Sequence, residues 1–287
     1  MKNIAIIVDS SCGLTKQQVE ALGWHFLPLK IELDGKIYND GDDLHSNKLF
    51  EVFSLQTQSY KTSCTPIGYV EELVEKLSQD HDYVVVFPIS KYLSSQYQNI
   101  KGLESLYPKL RVFESEYIAI LLTFQVFKFL DLVKQGLDVE DALHQAEAWD
   151  ENMFVSLIPK YNDYLVKGGR LSPSAATVAK LLKIVPIIQF HKGKLEKEGK
   201  GRVFLKTVLN KSDEKAADND DDILILQNDC AETSEVISHL KNSYPNRVFQ
   251  SCLPNCISIH TGPEAIVVIK LGRKLSNEEI EVLECKK

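Results

Sequence analysis

Four short polar clusters, far apart in the chain, could together bind an anion. Each supplies hydrogen-bond donors beside a turn or a predicted helix start. Hydroxyl groups, backbone N–H groups at helix starts and the planar arginine side chain are groups with which proteins hold carboxylates and phosphates. The clusters are Thr62-Ser63, Leu93-Ser94 with Tyr97, Lys167-Gly168-Gly169-Arg170 and His260-Thr261-Gly262-Pro263.

Each cluster also has a structural interpretation that needs no ligand. The hydroxyls of Thr62-Ser63, which precede Pro66, and of Ser94 could cap the helices that follow. Gly168-Gly169 suits the end of a helix. His260 could be a structural hydrogen-bonding residue. The sequence alone leaves both interpretations open.

Asp9 directly follows the first predicted strand, where ligand sites of open α/β sheets gather. It could instead turn the chain and cap the next helix. An enzyme acting on a small anionic substrate would need a general base, for which Asp9 and His260 are the candidates. The sequence contains no P-loop, G-x-G-x-x-G, G-x-S-x-G or H-E-x-x-H motif, and its seven histidines lack metal-ligand spacing. The missing motifs count against an enzyme, and we expect no catalytic residue, metal or cofactor. An enzyme of this kind and a purely structural or regulatory α/β module both stay open beside a binding protein.

Composition indicates an ordinary cytoplasmic protein. The 287 residues carry a net charge of −7, which argues against broad nucleic-acid binding. Six cysteines are sparsely placed and no secretory leader is recognisable, so we expect free thiols. Polar residues interrupt the most apolar stretch, residues 117–133, which predicts a buried helix and no stable membrane insertion.

Apolar runs rich in β-branched residues alternate with helical patterns in the first half. This alternation predicts a parallel sheet flanked by helices. The pattern of predicted strands and helices changes near residue 153, which predicts two α/β domains, 1–153 and 154–287. The predicted strands are 4–8, 26–33, 83–89, 110–113, 154–158, 185–190, 223–226 and 265–270. The predicted helices are 16–22, 47–55, 69–77, 94–106, 118–135, 139–152, 162–166, 173–182 and 233–243. A hairpin turn is predicted at Lys192-Gly193, and loops at 212–222 and 260–263.

Taken in order, these segments resemble the DegV family of bacterial fatty-acid-binding proteins across nearly the whole chain. The most specific match is Lys167-Gly168-Gly169-Arg170-Leu171-Ser172, followed by the predicted strand at 184–188. The other matching segments are Val8-Asp9-Ser10-Ser11, Lys61-Thr62-Ser63, Leu93-Ser94 with Tyr97-Gln98, Gly193-Lys194-Leu195 with Arg202, and His260-Thr261-Gly262-Pro263.

The resemblance implies two α/β domains of the DegV type, the N-terminal one with a mainly parallel sheet, and a long-chain fatty acid between them. It implies a monomeric carrier that presents the acid to a separate ATP-dependent fatty acid kinase, which forms an acyl phosphate for phospholipid synthesis. By the same resemblance Thr62, Ser94 and His260 would contact the carboxylate. Ser63 and Arg170 would support that end, and Arg170 and Arg202 would face the kinase.

The chain departs from the family pattern at three places. Thr65-Pro66 stands where the family usually has Pro-Ser, and Ser95-Gln96 where it usually has Gly-Thr. Glu264 replaces a small residue and is expected to add a negative charge near the anion end. These departures leave the choice of ligand open.

Overall fold

The computed structural model describes residues 2–45, 48–169, 184–217 and 220–284. They form two compact units. The first unit comprises Met1–Ser46 and Ser59–Trp149, and the second comprises Asn47–Gln58 and Asp150–Lys287. Arg170 and the helix predicted at 173–182 lie outside the described residues.

The first unit contains seven strands and five helices of the described chain. The strands are β1 (Ile4–Asp9), β2 (His25–Leu27), β3 (Lys30–Leu33), β4 (Lys36–Asn39), β5 (Tyr60–Ser63), β6 (Tyr83–Phe87) and β7 (Leu110–Val112). The helices are α1 (Lys16–Ala21), α3 (Ile67–Asp80), α4 (Gln96–Lys101), α5 (Ile120–Lys134) and α6 (Val139–Glu147), while α2 (Leu49–Val52) belongs to the second unit.

Four strands of the first unit form a wholly parallel sheet in the order β2-β1-β6-β7. The central strands are buried because their residues are almost all apolar, which is typical of a sheet covered on both faces. Helix α3 packs against the sheet through Val70, Val74 and Leu77, whose spacing places them on one face. Burial of each such side chain contributes about 1.5–3 kcal/mol. The predicted parallel layer is confirmed.

Helix α5 is largely buried, as the sequence predicted for its apolar stretch. Its Thr123 hydroxyl donates to the carbonyl of Cys12, 2.9 Å away, which joins the helix to the loop after β1. Among the described residues, no helix is both long enough and apolar enough to cross a membrane.

The predicted strand at 26–33 is wrong as a single strand. It divides at Pro28 into β2, in the parallel sheet, and β3, at the centre of an antiparallel sheet with the order β4-β3-β5. The chain leaves the ladder because Pro28 has no N–H and the N–H of Leu29 donates to the Ser10 hydroxyl, 3.2 Å away. Strands β4 and β5 were not predicted.

In its described residues, the second unit contains six strands and five further helices. The strands are β8 (Phe154–Ile158), β9 (Val185–His191), β10 (Lys194–Gly201), β11 (Ile223–Gln227), β12 (Val248–Cys252) and β13 (Ile266–Lys270). The helices are α7 (Asn162–Lys167), α8 (Phe204–Ala216), α9 (Thr233–Ser243), α10 (Asn255–Thr261) and α11 (Asn277–Glu284).

The second sheet has the order β10-β9-β8-β13-β11-β12, and all its pairs are antiparallel except β11 with β12. The predicted hairpin at Lys192-Gly193 is confirmed, since Lys194 pairs with His191 across it. The core of the second unit forms where apolar residues of this sheet pack against helices α8 and α9. It includes Val208, Val236 and Val268.

Only part of the acidic segment 212–222 is the solvated loop that its composition predicted, with Ala217 and Asp220 exposed outside any helix. Helix α8 continues to Ala216, with Ser212 and Lys215 buried on its inner face. Lys215 lies 3.5 Å from the Glu198 carboxylate, which compensates its charge. Asp222 is also buried. Charged residues therefore belong to the interior here because their partners are present.

Three predicted helices are clearly shorter than expected. Helix α2, predicted at 47–55, spans only Leu49–Val52. Helix α4 begins at Gln96 rather than at Ser94 and passes at Gly102 into a 3₁₀ turn. Helix α6 ends at Glu147, and the next carbonyl, of Ala148, accepts a hydrogen bond from the Tyr117 hydroxyl at 2.7 Å. None of the five described cysteines forms a disulfide.

Candidate functional site

The carboxyl edge of the parallel sheet gathers polar residues from several loops. Strand β1 has β2 on one side and β6 on the other, so the strand order reverses between β1 and β6. Ligands of open α/β sheets bind at such a reversal, beyond the carboxyl ends of the strands. Asp9, at the end of β1, accepts a hydrogen bond of 2.7 Å from the N–H of Ile89, which follows β6.

Asp9 is fully buried and both of its carboxylate oxygens accept hydrogen bonds. Besides Ile89, the N–H of Ser11 donates at 3.0 Å and the Ser11 hydroxyl donates to the same oxygen. Burial raises the pKa of Asp9 to about 6, against the lowering effect of these bonds. A general base must reach the proton it removes. This carboxylate instead caps the short 3₁₀ helix Ser10–Cys12 and joins two loops.

Ser10 ties the same edge to the connection between β2 and β3. Its hydroxyl donates to Asp40 at 2.8 Å and accepts the Leu29 N–H at 3.2 Å. Both Ser10 and Asp40 are buried. The loop after β1 is therefore held on two sides, and the edge is rigid where a ligand would bind.

Ser94 lies next to the segment that carries Thr62 and Ser63. Its Oγ is 3.8 Å from Sγ of Cys64 and accepts the N–H of Gln96 at 3.2 Å. Within the first unit, Ser94 therefore contacts the residue that directly follows the Thr62-Ser63 cluster. The other two clusters lie in the second unit.

Thr62 and Ser63 occupy strand β5 rather than a helix entrance. Helix α3 begins only at Ile67, after Pro66. Neighbouring residues of a strand point to opposite faces. Thr62 is half-buried and pairs with Ile31, whereas Ser63 is exposed. The partly enclosed hydroxyl of Thr62 is the better candidate for a ligand contact.

Tyr97, the last member of that cluster, is a core residue of the first unit. Its ring packs among the residues between α3 and the sheet. Burial and the nearby Glu114 raise the pKa of Tyr97 to about 12. Its hydroxyl donates to Glu114 at 3.4 Å. Tyr97 therefore anchors the start of α4 rather than adding a charge.

His260 lies on helix α10 and not in the predicted loop. The helix ends at Gly262, which has a φ of 79°. A Cβ at that position would lie 2.4 Å from the Tyr164 ring of α7, so the close packing of α10 on α7 requires glycine. A proline before the run and a glycine after it were the sequence signals for this helix.

Asn228, which the sequence analysis did not single out, positions α10. Its side-chain amide donates to the Leu253 carbonyl at 3.1 Å and to the Ser258 hydroxyl. The main-chain carbonyl of Asn228 accepts the N–H of Glu264 at 3.4 Å. One residue at the end of β11 thus contacts the chain at both ends of the helix that carries His260. No local sequence signal marks such a residue.

The predicted helix end at Gly168-Gly169 is confirmed. Helix α7 ends at Lys167, and Gly169 has a φ of 69°. The Lys167 ammonium donates to the carbonyl of Leu55 at 3.0 Å and to that of Thr57. Arg202 is exposed just before α8. Among the residues with described positions, no group of three or more histidine, cysteine or acidic side chains could hold a metal ion.

Comparison with known proteins identifies the family. The family model described as "Uncharacterised protein, DegV family" matches residues 3–271. The chain belongs to the DegV family. A DegV domain-containing protein of Mycoplasmopsis pulmonis is 39% identical over 285 residues, which cover 97% of this chain and 99% of that protein.

Solved DegV structures share the fold. A fatty acid binding DegV family protein of Streptococcus agalactiae superposes with a TM-score of 0.79 at 23% identity, covering 94% of this chain and 98% of the other. A DegV family protein of Thermus thermophilus, described by its fatty acid binding, gives a TM-score of 0.78 at 20% identity and covers 94% and 99%. The DegV architecture expected from the sequence is confirmed.

Glu264, one departure from the DegV pattern, has its charge compensated within the second unit. The Lys160 ammonium lies 2.7 Å from Glu264 and 2.9 Å from Glu232. The Tyr161 hydroxyl also donates to Glu264. Burial lowers the pKa of Lys160, but the hydrogen bonds that its ammonium donates to the two glutamates outweigh burial and raise that pKa overall. The added negative charge is therefore neutralised locally.

Replacing Lys160 with methionine should lower the free energy of unfolding by about 1–2 kcal/mol, since Glu264 and Glu232 would then repel each other in a partly buried place. Urea unfolding measures the loss. Lys134→Met is the matched control, because Lys134 pairs with Asp131 at 3.3 Å but is 61% exposed. The control should change stability by less than about 0.5 kcal/mol. Equal effects would show that Lys160 is only a surface ion-pair residue.

Proposed function

We propose that this protein binds a long-chain fatty acid and presents its carboxylate to a separate fatty acid kinase. The observation that carries the proposal is the meeting of Ser94 with the Thr62–Cys64 segment at the carboxyl edge of the sheet. The membership in a family with solved members described as fatty-acid-binding supports it.

The chemistry of this edge suits a carboxylate at the end of an acyl chain. Each buried methylene group contributes about 0.8 kcal/mol, so the hydrocarbon supplies most of the affinity. The buried carboxylate needs hydrogen-bond donors to offset its desolvation. Ser94 accepts the Gln96 N–H through its oxygen, and its hydroxyl hydrogen is available to a carboxylate when the Cys64 thiol is the donor in their 3.8 Å contact. Thr62 offers a second hydroxyl on the half-buried face of β5.

The residue roles in the proposal follow the family resemblance. Thr62, Ser94 and His260 contact the carboxylate, and Ser63 and Arg170 support that end. Arg170 and Arg202 face the kinase. Neutral donors leave the carboxylate oxygens more nucleophilic than a tight ion pair would. One oxygen attacks the γ-phosphorus of the ATP held by the kinase, the bond to the ADP oxygen breaks, and an acyl phosphate and ADP result.

The carrier proposed is a cytoplasmic monomer without a cofactor, and its acyl phosphate serves phospholipid synthesis. Extraction of the natively purified protein followed by mass spectrometry tests the ligand. We expect about one fatty acid per chain. Recovery of a polar or phosphorylated metabolite in place of lipid would favour an enzyme acting on a small anion.

Ser94→Ala should weaken binding of palmitate about tenfold, because a hydrogen bond to a charged group contributes about 1.5–3 kcal/mol. Displacement of a fluorescent fatty acid measures the affinity. Ser95→Ala is the matched control, since Ser95 is exposed and its side chain makes no capping bond to α4. Acyl hydroxamate formed with kinase, ATP and hydroxylamine should fall in parallel. Equal affinity in both variants would contradict the proposed site.

A further inference from the structure

Two departures of this chain from the DegV pattern contact each other directly. The side-chain oxygen of Gln96 accepts the Thr65 N–H at 3.0 Å, and its amide nitrogen donates to the Thr65 hydroxyl at 2.9 Å. Both residues are buried. The pair therefore forms a two-point link between segments that are 31 residues apart.

The link extends to a third segment. The Thr65 hydroxyl donates to the Pro28 carbonyl at 2.9 Å, just beyond the end of β2. Thr65 thus uses its N–H and hydroxyl to join the loop after β5 with the start of α4 and with the sheet edge. Buried polar groups satisfied in this way make a site rigid, whereas an unsatisfied one costs about 1–3 kcal/mol.

The bonds between Thr65 and Gln96 lie directly beside the contact between Cys64 and Ser94. Cys64 directly precedes Thr65, and Ser94 stands two residues before Gln96. The main-chain N–H of Gln96 donates to the Ser94 oxygen at 3.2 Å, while its side chain holds the residue after Cys64. Gln96 therefore holds both residues of the 3.8 Å contact between Sγ of Cys64 and Oγ of Ser94.

We propose that Thr65 and Gln96 are the positioning pair that aims the Ser94 hydroxyl at the carboxylate, and so sets the preference for a free acid over an uncharged head group. The inference rests on the proposed function. The two departures are mutually dependent, because either residue without the other leaves a buried polar group without its partner. Thr65 and Gln96 act through Ser94 and need not touch the ligand.

The test compares palmitate with 1-hexadecanol, each displacing a fluorescent fatty acid from the full chain. Thr65→Val removes the hydroxyl and keeps the N–H that Gln96 accepts. We expect the ratio of the two affinities to fall about tenfold in Thr65→Val. Thr65→Ser, which restores the hydroxyl, should recover the ratio. Purely structural damage would weaken acid and alcohol alike.

Thr207→Val is the matched control. Thr207 is 5% exposed against 4% for Thr65, and its hydroxyl likewise donates to a backbone carbonyl, that of Val203, at 2.8 Å. This variant should leave the acid-to-alcohol ratio unchanged. In a Ser94→Ala background, Thr65→Val should lower the ratio no further, since the aimed hydroxyl is already absent.

The outcomes separate the two proposals. A ratio that falls in Ser94→Ala but not in Thr65→Val overturns the positioning role alone. A ratio unchanged in Ser94→Ala overturns the carboxylate site itself. Should Thr65→Val not fold, Gln96→Glu replaces it, because glutamate keeps the acceptor for the Thr65 N–H and loses the donor. An unchanged ratio in Gln96→Glu would equally overturn the positioning role.

Discussion

Replacement of Asp222 with alanine is expected to lower the free energy of unfolding by about 3 kcal/mol, because a buried, bidentate charged group would be lost. Asp222 is 0% exposed, and the Arg247 guanidinium donates to its two oxygens at 2.9 and 2.6 Å. The N–H of Leu275 donates to the same carboxylate at 2.7 Å. One side chain thus joins the starts of β11 and β12 to the segment before α11.

The expected loss lies at the lower end of what buried ion pairs show. Loss of one partner costs about 3–5 kcal/mol when the remaining charge stays buried. Here the Arg247 side chain is 44% exposed, so water can solvate the guanidinium after the substitution. The N–H of Leu275 would still lose its acceptor. Guanidinium chloride unfolding at pH 7 measures the difference.

The neighbouring acidic residue supplies the control. Asp220 pairs with Lys274 at 3.1 Å, but its side chain is 70% exposed. Asp220→Ala should change stability by less than about 0.5 kcal/mol. If the two alanine variants lost equal stability, Asp222 would behave as a member of a solvated acidic loop, which is what the composition of 212–222 predicted.

The elements that the sequence predicted well are those whose local pattern decides their structure. Strand β8 and helix α9 have the predicted bounds, Phe154–Ile158 and Thr233–Ser243. Strand β8 is a short, mostly apolar run, and Val236 and Leu240 of α9 have the four-residue spacing of one helix face. The buried strands of the parallel sheet were recognisable for the same reason, as continuous β-branched runs.

The elements that were missed depend on contacts distant in sequence. Strand β5 (Tyr60–Ser63) is polar, and its structure comes from pairing with β3. The inner face of α8 contains Lys215, which composition assigns to solvent until Glu198 is brought beside it. A sequence does not distinguish a buried charged residue from an exposed one, because the residue that compensates the buried charge lies elsewhere in the chain.

In the candidate site too, some features follow from the local sequence and others depend on contacts between distant segments. Polar residue types and order made Ser94 and Thr62 candidates for a ligand contact, and the parallel topology explains why residues after β1 and β6 meet. The role of Thr65 and Gln96 could not be predicted, since their bonds cross 31 residues. The sequence showed only that both positions depart from the DegV pattern. The structure joins these two departures into one contact.

Asp9 should make the stability of the protein depend on pH between about 4 and 6. Burial raises its pKa in the folded state from the ordinary 3.8 to about 6. The folded protein therefore keeps a proton that the unfolded chain has already released. The corresponding stabilisation is fully present at pH values below 3.8, the pKa of Asp9 in the unfolded chain. It is lost as the pH rises through about 6, the pKa of Asp9 in the folded protein. Its size is about 3 kcal/mol.

Asp9→Asn removes this titration while it keeps one oxygen to accept the Ser11 donors. Other carboxylates titrate alike in both proteins, so the difference in unfolding free energy between wild type and variant isolates Asp9. We expect that difference to fall by about 2 kcal/mol, in favour of the variant, from pH 4 to pH 7, because at pH 4 the unfolded Asp9 is already partly deprotonated. Urea unfolding at half-unit pH steps measures it. A constant difference would mean that Asp9 is charged in the folded protein over the whole range. Its three hydrogen bonds from Ser11 and Ile89 would then outweigh its burial.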